Sequence, residues 1–196
     1  MDPVAVVVTF GTIFLVELPD KTFLATLVLA TRYRPLFVWI GVSLAFAVQT
    51  VVAVLLGHAV SFLPEDLVKG AAAAMFLVGA VLLYREGRAH HQSSGEEYVA
   101  KARDVHGVRQ VLACFLVLFA AEWGDLSQLF TITLVAKYED PIGVFIGALG
   151  ALMTVSALAV VAGKQLLRWI PLHVLHYVGA GVCLLLALVT GYELVA

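Results

Sequence analysis

The chain has 196 residues, of which 62% are hydrophobic and only 13% charged, and its mean hydropathy is +0.99. A water-soluble domain of this size needs a larger charged surface, so the composition indicates an integral membrane protein. The net charge of −2 and the pI near 6.3 argue against a nucleic-acid partner. The lipid bilayer is therefore the expected environment.

Six apolar segments are long enough to cross a bilayer, which takes about 20 helical residues. They lie near residues 4–31, 36–62, 67–85, 108–136, 141–164 and 171–193. We therefore predict an all-α fold with one three-helix unit over residues 1–85 and a second over residues 108–196. Between the two units, residues 86–107 are rich in Ser, Gly, Glu and His and are predicted to form a linker.

The basic residues between the spans indicate the orientation of the chain. One side carries Arg32, Arg34, Arg85, Arg88, Lys101, Arg103, Arg109, Lys164 and Arg168, and the other side carries Lys69 and Lys137. Because Lys and Arg concentrate on the cytoplasmic side of membrane proteins, we expect the linker to be cytoplasmic and both termini to lie outside. The expected location is a plasma or inner membrane, which the chain crosses several times.

The two halves of the chain repeat each other. The segment ELPDKT at residues 17–22 aligns with EWGDLS at residues 122–127. Further matches are Thr26 with Thr131, Pro35 with Pro141, Gly41 with Gly147, and Thr50 with Ser156. Three spans per repeat is an odd number, so the second half should be inverted in the membrane. Inverted repeats are typical of transporters with a midplane substrate site, although an old duplication kept for packing would give the same alignment.

Each repeat carries two carboxylates at membrane depth, Glu17 and Asp20 in the first half and Glu122 and Asp125 in the second. The spacing of three positions places both acids of a pair on one face of a helix. An ionised carboxylate at this depth is unfavourable unless something compensates its charge. A bound cation, protons or a basic partner is therefore expected beside all four acids.

The residues around the acids favour a cation. Pro19 and Gly124 stand between the acids of each pair and predict a break in each helix, which would expose backbone carbonyls. Further polar residues at this depth are Thr22, Ser127, Gln128 and Gln49. Oxygen ligands without thiolate or imidazole suit a hard cation such as Mg²⁺, Ca²⁺ or Mn²⁺.

The two motifs resemble the repeated Glu-x-Gly-Asp-(Lys/Arg)-(Ser/Thr) signature of the Gdt-type cation/proton exchangers, and the resemblance covers nearly the whole chain. It departs from the signature where Pro19 replaces a glycine and Leu126 replaces a basic residue. The resemblance implies six spans in two inverted halves and the exchange of manganese or calcium for protons. It also implies one central site formed by Glu17, Asp20, Thr22, Glu122, Asp125 and Ser127.

The leading hypothesis is therefore a secondary antiporter that exports Mn²⁺ or Ca²⁺ in exchange for protons. The carboxylates would bind metal when ionised and accept protons when it leaves, while Lys21, the basic residue within the first span, would pair with one of them. The metal and the protons are substrates, and no cofactor is expected. The alternatives are a passive divalent-cation channel and an exporter of basic amino acids. No catalytic motif of an intramembrane enzyme is apparent, and no sequence feature indicates an oligomeric state.

Overall fold

A computed structural model describes every residue of the chain except 19, 63, 90–104, 170–171 and 196. All regular elements in this part of the chain are α-helices, numbered here α1 to α8. Their bounds are α1 Pro3–Glu17, α2 Lys21–Arg32, α3 Pro35–Val60, α4 Glu65–Ala89, α5 Arg109–Ala121, α6 Leu126–Tyr138, α7 Pro141–Trp169 and α8 Leu172–Val195.

Proline stands at the start of three of these helices. Pro3, Pro35 and Pro141 are the first residues of α1, α3 and α7. The first residue of a helix donates no hydrogen bond within that helix, so the missing N–H group of proline is not needed there. The fixed φ of proline also suits the helix. The carboxylate of Asp2 completes the start of α1 because it accepts a hydrogen bond from the Val4 N–H at 2.9 Å.

Asp140 connects the starts of two helices. Its carboxylate accepts hydrogen bonds from the backbone N–H of Asp2 and, at 3.0 Å, from that of Gly143. These two hydrogen bonds hold the pKa of Asp140 below its usual value because they stabilise the ionised form. The first residues of α1 and α7 are thereby held together at one end of the bundle.

Three helical segments are long and apolar enough to cross a membrane on their own: Pro35–Val60, Asp66–Arg85 and Pro141–Val161. Two more spans result if the bent pairs α1–α2 and α5–α6 each count as one. The apolar part of α8 that the structure describes, His176–Tyr192, is shorter than these. The prediction of an all-helical membrane protein is confirmed, with three to five candidate spans, and the sixth span stays a prediction.

The predicted linker at residues 86–107 is only partly described. Helix α4 continues to Ala89, beyond residue 85, where the first three-helix unit was predicted to end. Residues 90–104, the greater part of the predicted linker, lie outside the described residues. The next helix begins at Arg109, close to the predicted start of the second unit at residue 108.

Helices α3 and α7 lie at the centre of the bundle. They contact each other, and each also packs on the first helix of the other half, so that α3 lies against α5 and α7 lies against α1. Helices α4 and α8 form a further extensive contact with each other. One cluster of buried apolar side chains takes members from all eight described helices. The two halves therefore share a single core.

Two glycines allow the central helices to approach their partners closely. A Cβ atom added to Gly41 of α3 would lie 2.5 Å from the carbonyl oxygen of Val111 in α5. A Cβ atom added to Gly147 of α7 would lie 2.6 Å from the carbonyl oxygen of Val6 in α1. Gly41 and Gly147 are aligned in the sequence repeat, and so are Val111 and Val6. The same close contact therefore occurs at equivalent places in both halves.

We expect Gly41→Ala and Gly147→Ala each to destabilise the protein by about 1–3 kcal/mol, because a methyl group would push the paired helix backbones apart. Gly191→Ala in α8 is the matched control, because a Cβ atom at Gly191 meets nothing within 4 Å. Thermal unfolding of the purified variants in detergent measures the effect. Equal unfolding midpoints for all three variants would show that the two close contacts contribute no stability.

Candidate cation site

The helix pairs α1–α2 and α5–α6 are both bent sharply where the sequence predicts a break. The axes turn by 68° between α1 and α2 and by 72° between α5 and α6. In the second break Gly124 has φ +79°, a left-handed conformation that glycine adopts without strain. Pro19, the matching residue of the first break, lies outside the described residues. Both predicted breaks are therefore present.

The backbone has the same arrangement at both breaks. Asp20 is the N-cap of α2, with φ −78° and ψ 165°, and Asp125 is the N-cap of α6, with φ −71° and ψ 168°. The Asp20 N–H donates to the carbonyl oxygen of Glu17 at 3.1 Å, and the Asp125 N–H donates to that of Glu122 at 3.4 Å. Each motif thus places a glutamate at the end of one helix and an aspartate at the start of the next.

Three of the four predicted acids converge at the breaks. One carboxylate oxygen from each of Glu17, Asp20 and Asp125 lies within 4.8 Å of the other two. An aspartate at an N-cap usually accepts a hydrogen bond from its own helix, but the side chains of Asp20 and Asp125 make no such bond. The group that Asp20 and Asp125 form with Glu17 contains acids from both halves of the chain.

Glu17 is the most buried member of this group. Its side chain is 0% exposed, and neither carboxylate oxygen has a hydrogen-bond partner among the described groups. The Thr22 hydroxyl lies close enough to interact with it but donates to Asp20 at 3.2 Å. A buried carboxylate without such partners is unfavourable when ionised, so a cation or a proton is required at this position.

Glu122 lies outside the close group but next to it. It is 3% exposed, and its charge interacts with that of Glu17. It faces a separate cavity of about 10 Å³, which is about the room that one water molecule needs. The other residues lining this cavity are Phe46, Gln49, Thr50, Ala53, Ser127, Gln128, Thr131 and Leu152.

The predicted supporting residues divide between these two places. Thr22 lies at the three-acid group, whereas Ser127, Gln128 and Gln49 line the cavity at Glu122. The side chain of Lys21 lies outside the described residues, so its pairing with a carboxylate stays a prediction.

Two further cavity residues, Thr50 and Thr131, were absent from the predicted site. Both are nearly fully buried, and the Thr131 hydroxyl donates to the carbonyl oxygen of Ser127 at 2.7 Å. The sequence does contain a signal for them, because both belong to the aligned positions of the repeat. Polar residues that recur at equivalent depths in both halves are therefore candidates for the site.

The three-acid group has the chemistry of a hard-cation site. Carboxylate oxygens are preferred ligands of Ca²⁺, at about 2.3–2.6 Å from the ion, so two ligands on opposite sides of it are about 4.6–5.2 Å apart. The three carboxylate oxygens, all within 4.8 Å of one another, are close enough for one such ion to contact them together. One divalent cation could contact all three acids and offset most of their charge.

Comparison with known proteins supports this interpretation. The family model described as "Divalent cation/proton antiporter GDT1" matches residues 5–91 and 110–196. The GDT1-like protein sll0615 of Synechocystis is 33% identical over 76% of this chain and 77% of its own length. No solved structure matches the chain.

Two further relatives cover nearly all of the chain. A Vibrio cholerae protein named "Putative manganese exporter" is 31% identical over 94% of this chain and 89% of its own length. The chloroplastic protein PAM71 of Arabidopsis thaliana is 31% identical over 95% of this chain, which spans 56% of that protein. From the family match over both halves and these identities, the chain belongs to the GDT1 family of divalent cation/proton antiporters.

Proposed function

We propose that this protein is a secondary transporter that exports Mn²⁺ or Ca²⁺ across the membrane in exchange for protons. The observation that carries the proposal is the group of carboxylate oxygens from Glu17, Asp20 and Asp125, all within 4.8 Å of one another. The name of the Vibrio cholerae relative, which refers to manganese export, favours manganese as the first ion to test. We expect no enzymatic activity, because antiport moves ions without changing covalent bonds.

The proposed architecture is six spans in two inverted three-helix repeats. The bent pairs α1–α2 and α5–α6 would each be the first span of a repeat, α3 and α7 the second, and α4 and α8 the third. Support comes from the similar bends of 68° and 72° and from the equivalent close contacts of Gly41 and Gly147. The two segments that match the family, residues 5–91 and 110–196, are of equal length and correspond to the two repeats.

In the proposed site, Glu17, Asp20, Glu122 and Asp125 are the metal ligands. Glu17, Asp20 and Asp125 would contact the ion together, and Glu122 would bind it on its way to or from this group. Thr22, Ser127, Gln128 and Gln49 would supply further polar contacts along the path, and Lys21 would offset part of the negative charge.

Proton exchange follows from the charges of this site. Like charges this close repel one another strongly where water is scarce, so the three acids cannot all stay ionised once the metal has left. Protons that bind to the acids would remove the repulsion and allow the empty site to return. The same carboxylates would thereby bind the two substrates alternately, which couples the export of the metal to the import of protons.

We further propose that the protein lies in a plasma or inner membrane, with the central linker cytoplasmic and both termini outside. The support is the uneven distribution of basic residues between the two sides. The relative PAM71 is named as a chloroplastic protein, so the membrane differs among members of the family.

The first test is transport by the purified protein in proteoliposomes. We expect Mn²⁺ to accumulate in vesicles with an acidic interior, because protons leaving the vesicles would drive its entry. A protonophore together with a potassium ionophore should abolish the accumulation. Accumulation that follows only the membrane potential would indicate a passive channel. Lysine transport in place of metal transport would indicate an exporter of basic amino acids.

The second test removes the acids one at a time. Glu17→Gln, Asp20→Asn and Asp125→Asn should each weaken Mn²⁺ binding by roughly ten- to a hundredfold, since a contact to a charged group contributes about 1.5–3 kcal/mol. Glu122→Gln should reduce transport as well. Glu139→Gln is the control, because Glu139 is an exposed carboxylate at the end of α6. Binding and transport are measured on variants shown to be folded, and four variants with normal transport would contradict the proposed site.

The third test concerns orientation. In a chain with Cys114 and Cys183 replaced by alanine, a membrane-impermeant thiol reagent added to intact cells should label Phe62→Cys. Phe62 is 80% exposed and lies between α3 and α4, on the side predicted to be external. The same reagent should label Ser94→Cys in the linker only after the cells are opened. Labelling in the opposite order would reverse the proposed orientation.

A further inference from the structure

The two helix breaks are held by different hydrogen bonds. In the first break the carbonyl oxygen of Phe14 accepts from the backbone N–H of Leu18 at 3.0 Å. Phe119 occupies the equivalent position before the second break, and its carbonyl oxygen accepts from the side-chain Nε2 of Gln49 at 3.0 Å. The equivalent carbonyl oxygens thus accept from a backbone N–H at the first break and from a side chain at the second.

A second glutamine acts at the same break. The side-chain Oε1 of Gln128 accepts from the backbone N–H of Gly124 at 2.8 Å. Gly124 has a positive φ and forms no part of a helix, so this side chain gives its N–H a partner outside regular secondary structure. The second break therefore has one side-chain donor and one side-chain acceptor, and each pairs with a backbone group of the break.

The equivalent positions around the first break cannot make these bonds. The alignment of the repeats places Val155 opposite Gln49 and Phe23 opposite Gln128. Val155 and Phe23 belong to one buried apolar cluster, together with Leu18. At these two positions the first break has apolar side chains where the second break has glutamines, so the difference in hydrogen bonding follows from the sequence.

Gln49 also connects the two halves of the chain. It lies on α3, in the first half, is 5% exposed, and reaches the carbonyl of a residue in α5, in the second half. Glu122 follows Phe119 by three residues and lines the same cavity as Gln49. A displacement of α3 relative to α5 would therefore alter the hydrogen bond that holds the backbone just before Glu122.

We propose that Gln49 is a positioning residue for the transported cation: by holding the Phe119 carbonyl, it sets the position of Glu122 and Asp125 relative to Glu17 and Asp20. This inference rests on the proposed function of the site. Helix α3, which belongs to the first half, thereby controls the positions of the acids in the second half. At the first break the equivalent carbonyl, that of Phe14, accepts from the backbone N–H of Leu18. The position of this carbonyl therefore does not depend on a side chain from another helix.

Gln49→Met tests the proposal, because methionine has a similar length but cannot donate to the Phe119 carbonyl. Gln110→Met is the matched control. Gln110 is also buried and also donates its Nε2 to a backbone carbonyl, that of Val105 at 3.1 Å, but it lies at the start of α5, away from the acids. Gln110→Met loses this bond and also the one that Gln110 Oε1 accepts from the Arg34 N–H at 3.4 Å, so thermal unfolding should show at least as large a loss of stability for Gln110→Met as for Gln49→Met.

The transport kinetics should separate the two variants. We expect Gln49→Met to raise the half-saturating Mn²⁺ concentration on the order of tenfold, the loss expected from one buried hydrogen bond that positions a ligand. Gln110→Met should leave this concentration unchanged. If the two variants have the same half-saturating concentration, or if Gln49→Met lowers only the maximal rate, Gln49 is a structural residue and the proposal is wrong.

A spectroscopic measurement separates this inference from the proposed function. The ring of Trp123, in the second break, lies 5.1 Å from that of Phe119. In a chain with Trp39→Phe and Trp169→Phe, Gln49→Met should change the emission of Trp123, whereas Gln110→Met should not. This result is expected even if the protein does not transport Mn²⁺, and an unchanged emission would overturn the proposal. Should Gln49→Met fail to fold, Gln49→Leu removes the same Nε2 donor to the Phe119 carbonyl and is measured in the same way.

Discussion

The structure depends on the free-energy penalty of keeping ionised carboxylates in an apolar interior. Glu17 is 0% exposed, and the hydroxyl nearby donates to Asp20 instead of to it. An acid in such a place is tolerated when a cation or a proton compensates its charge. Because Glu17, Asp20 and Asp125 converge, one divalent ion can contact all three and offset most of their charge.

Breaking the helices has an electrostatic consequence as well. A continuous helix would hydrogen-bond the backbone groups next to the acids, whereas a break places the N-terminus of a new helix there. Asp20 and Asp125 are the N-caps of α2 and α6, so the partial positive charge of each helix N-terminus lies beside a carboxylate of the group. This charge stabilises the ionised acids without occupying the position of the transported ion.

Much of this arrangement could be predicted from the sequence because it depends on local chemistry. Pro19 and Gly124 predict the breaks from backbone geometry alone, and the aligned acids predict that two motifs meet. The separate position of Glu122 could not be predicted, because it depends on the hydrogen bond from Gln49 to Phe119, between residues 70 positions apart in the chain. No rule of spacing connects those two residues. The length of α4 was also missed, since the polar residues after position 85 resemble a linker in composition although the helix continues through them to Ala89.

The two helix breaks are similar in backbone conformation and different in the side chains that surround them. With identical halves, both glutamates would have the same surroundings. Instead, Leu18, Phe23 and Val155 form an apolar cluster at the first break, whereas the cavity at Glu122 is lined by glutamine and hydroxyl side chains. Polar groups can replace part of the hydration shell of a cation, and apolar groups cannot. The two breaks, although aligned in the sequence repeat, therefore differ in the side chains around them, and this difference supports the proposed passage of the ion past Glu122.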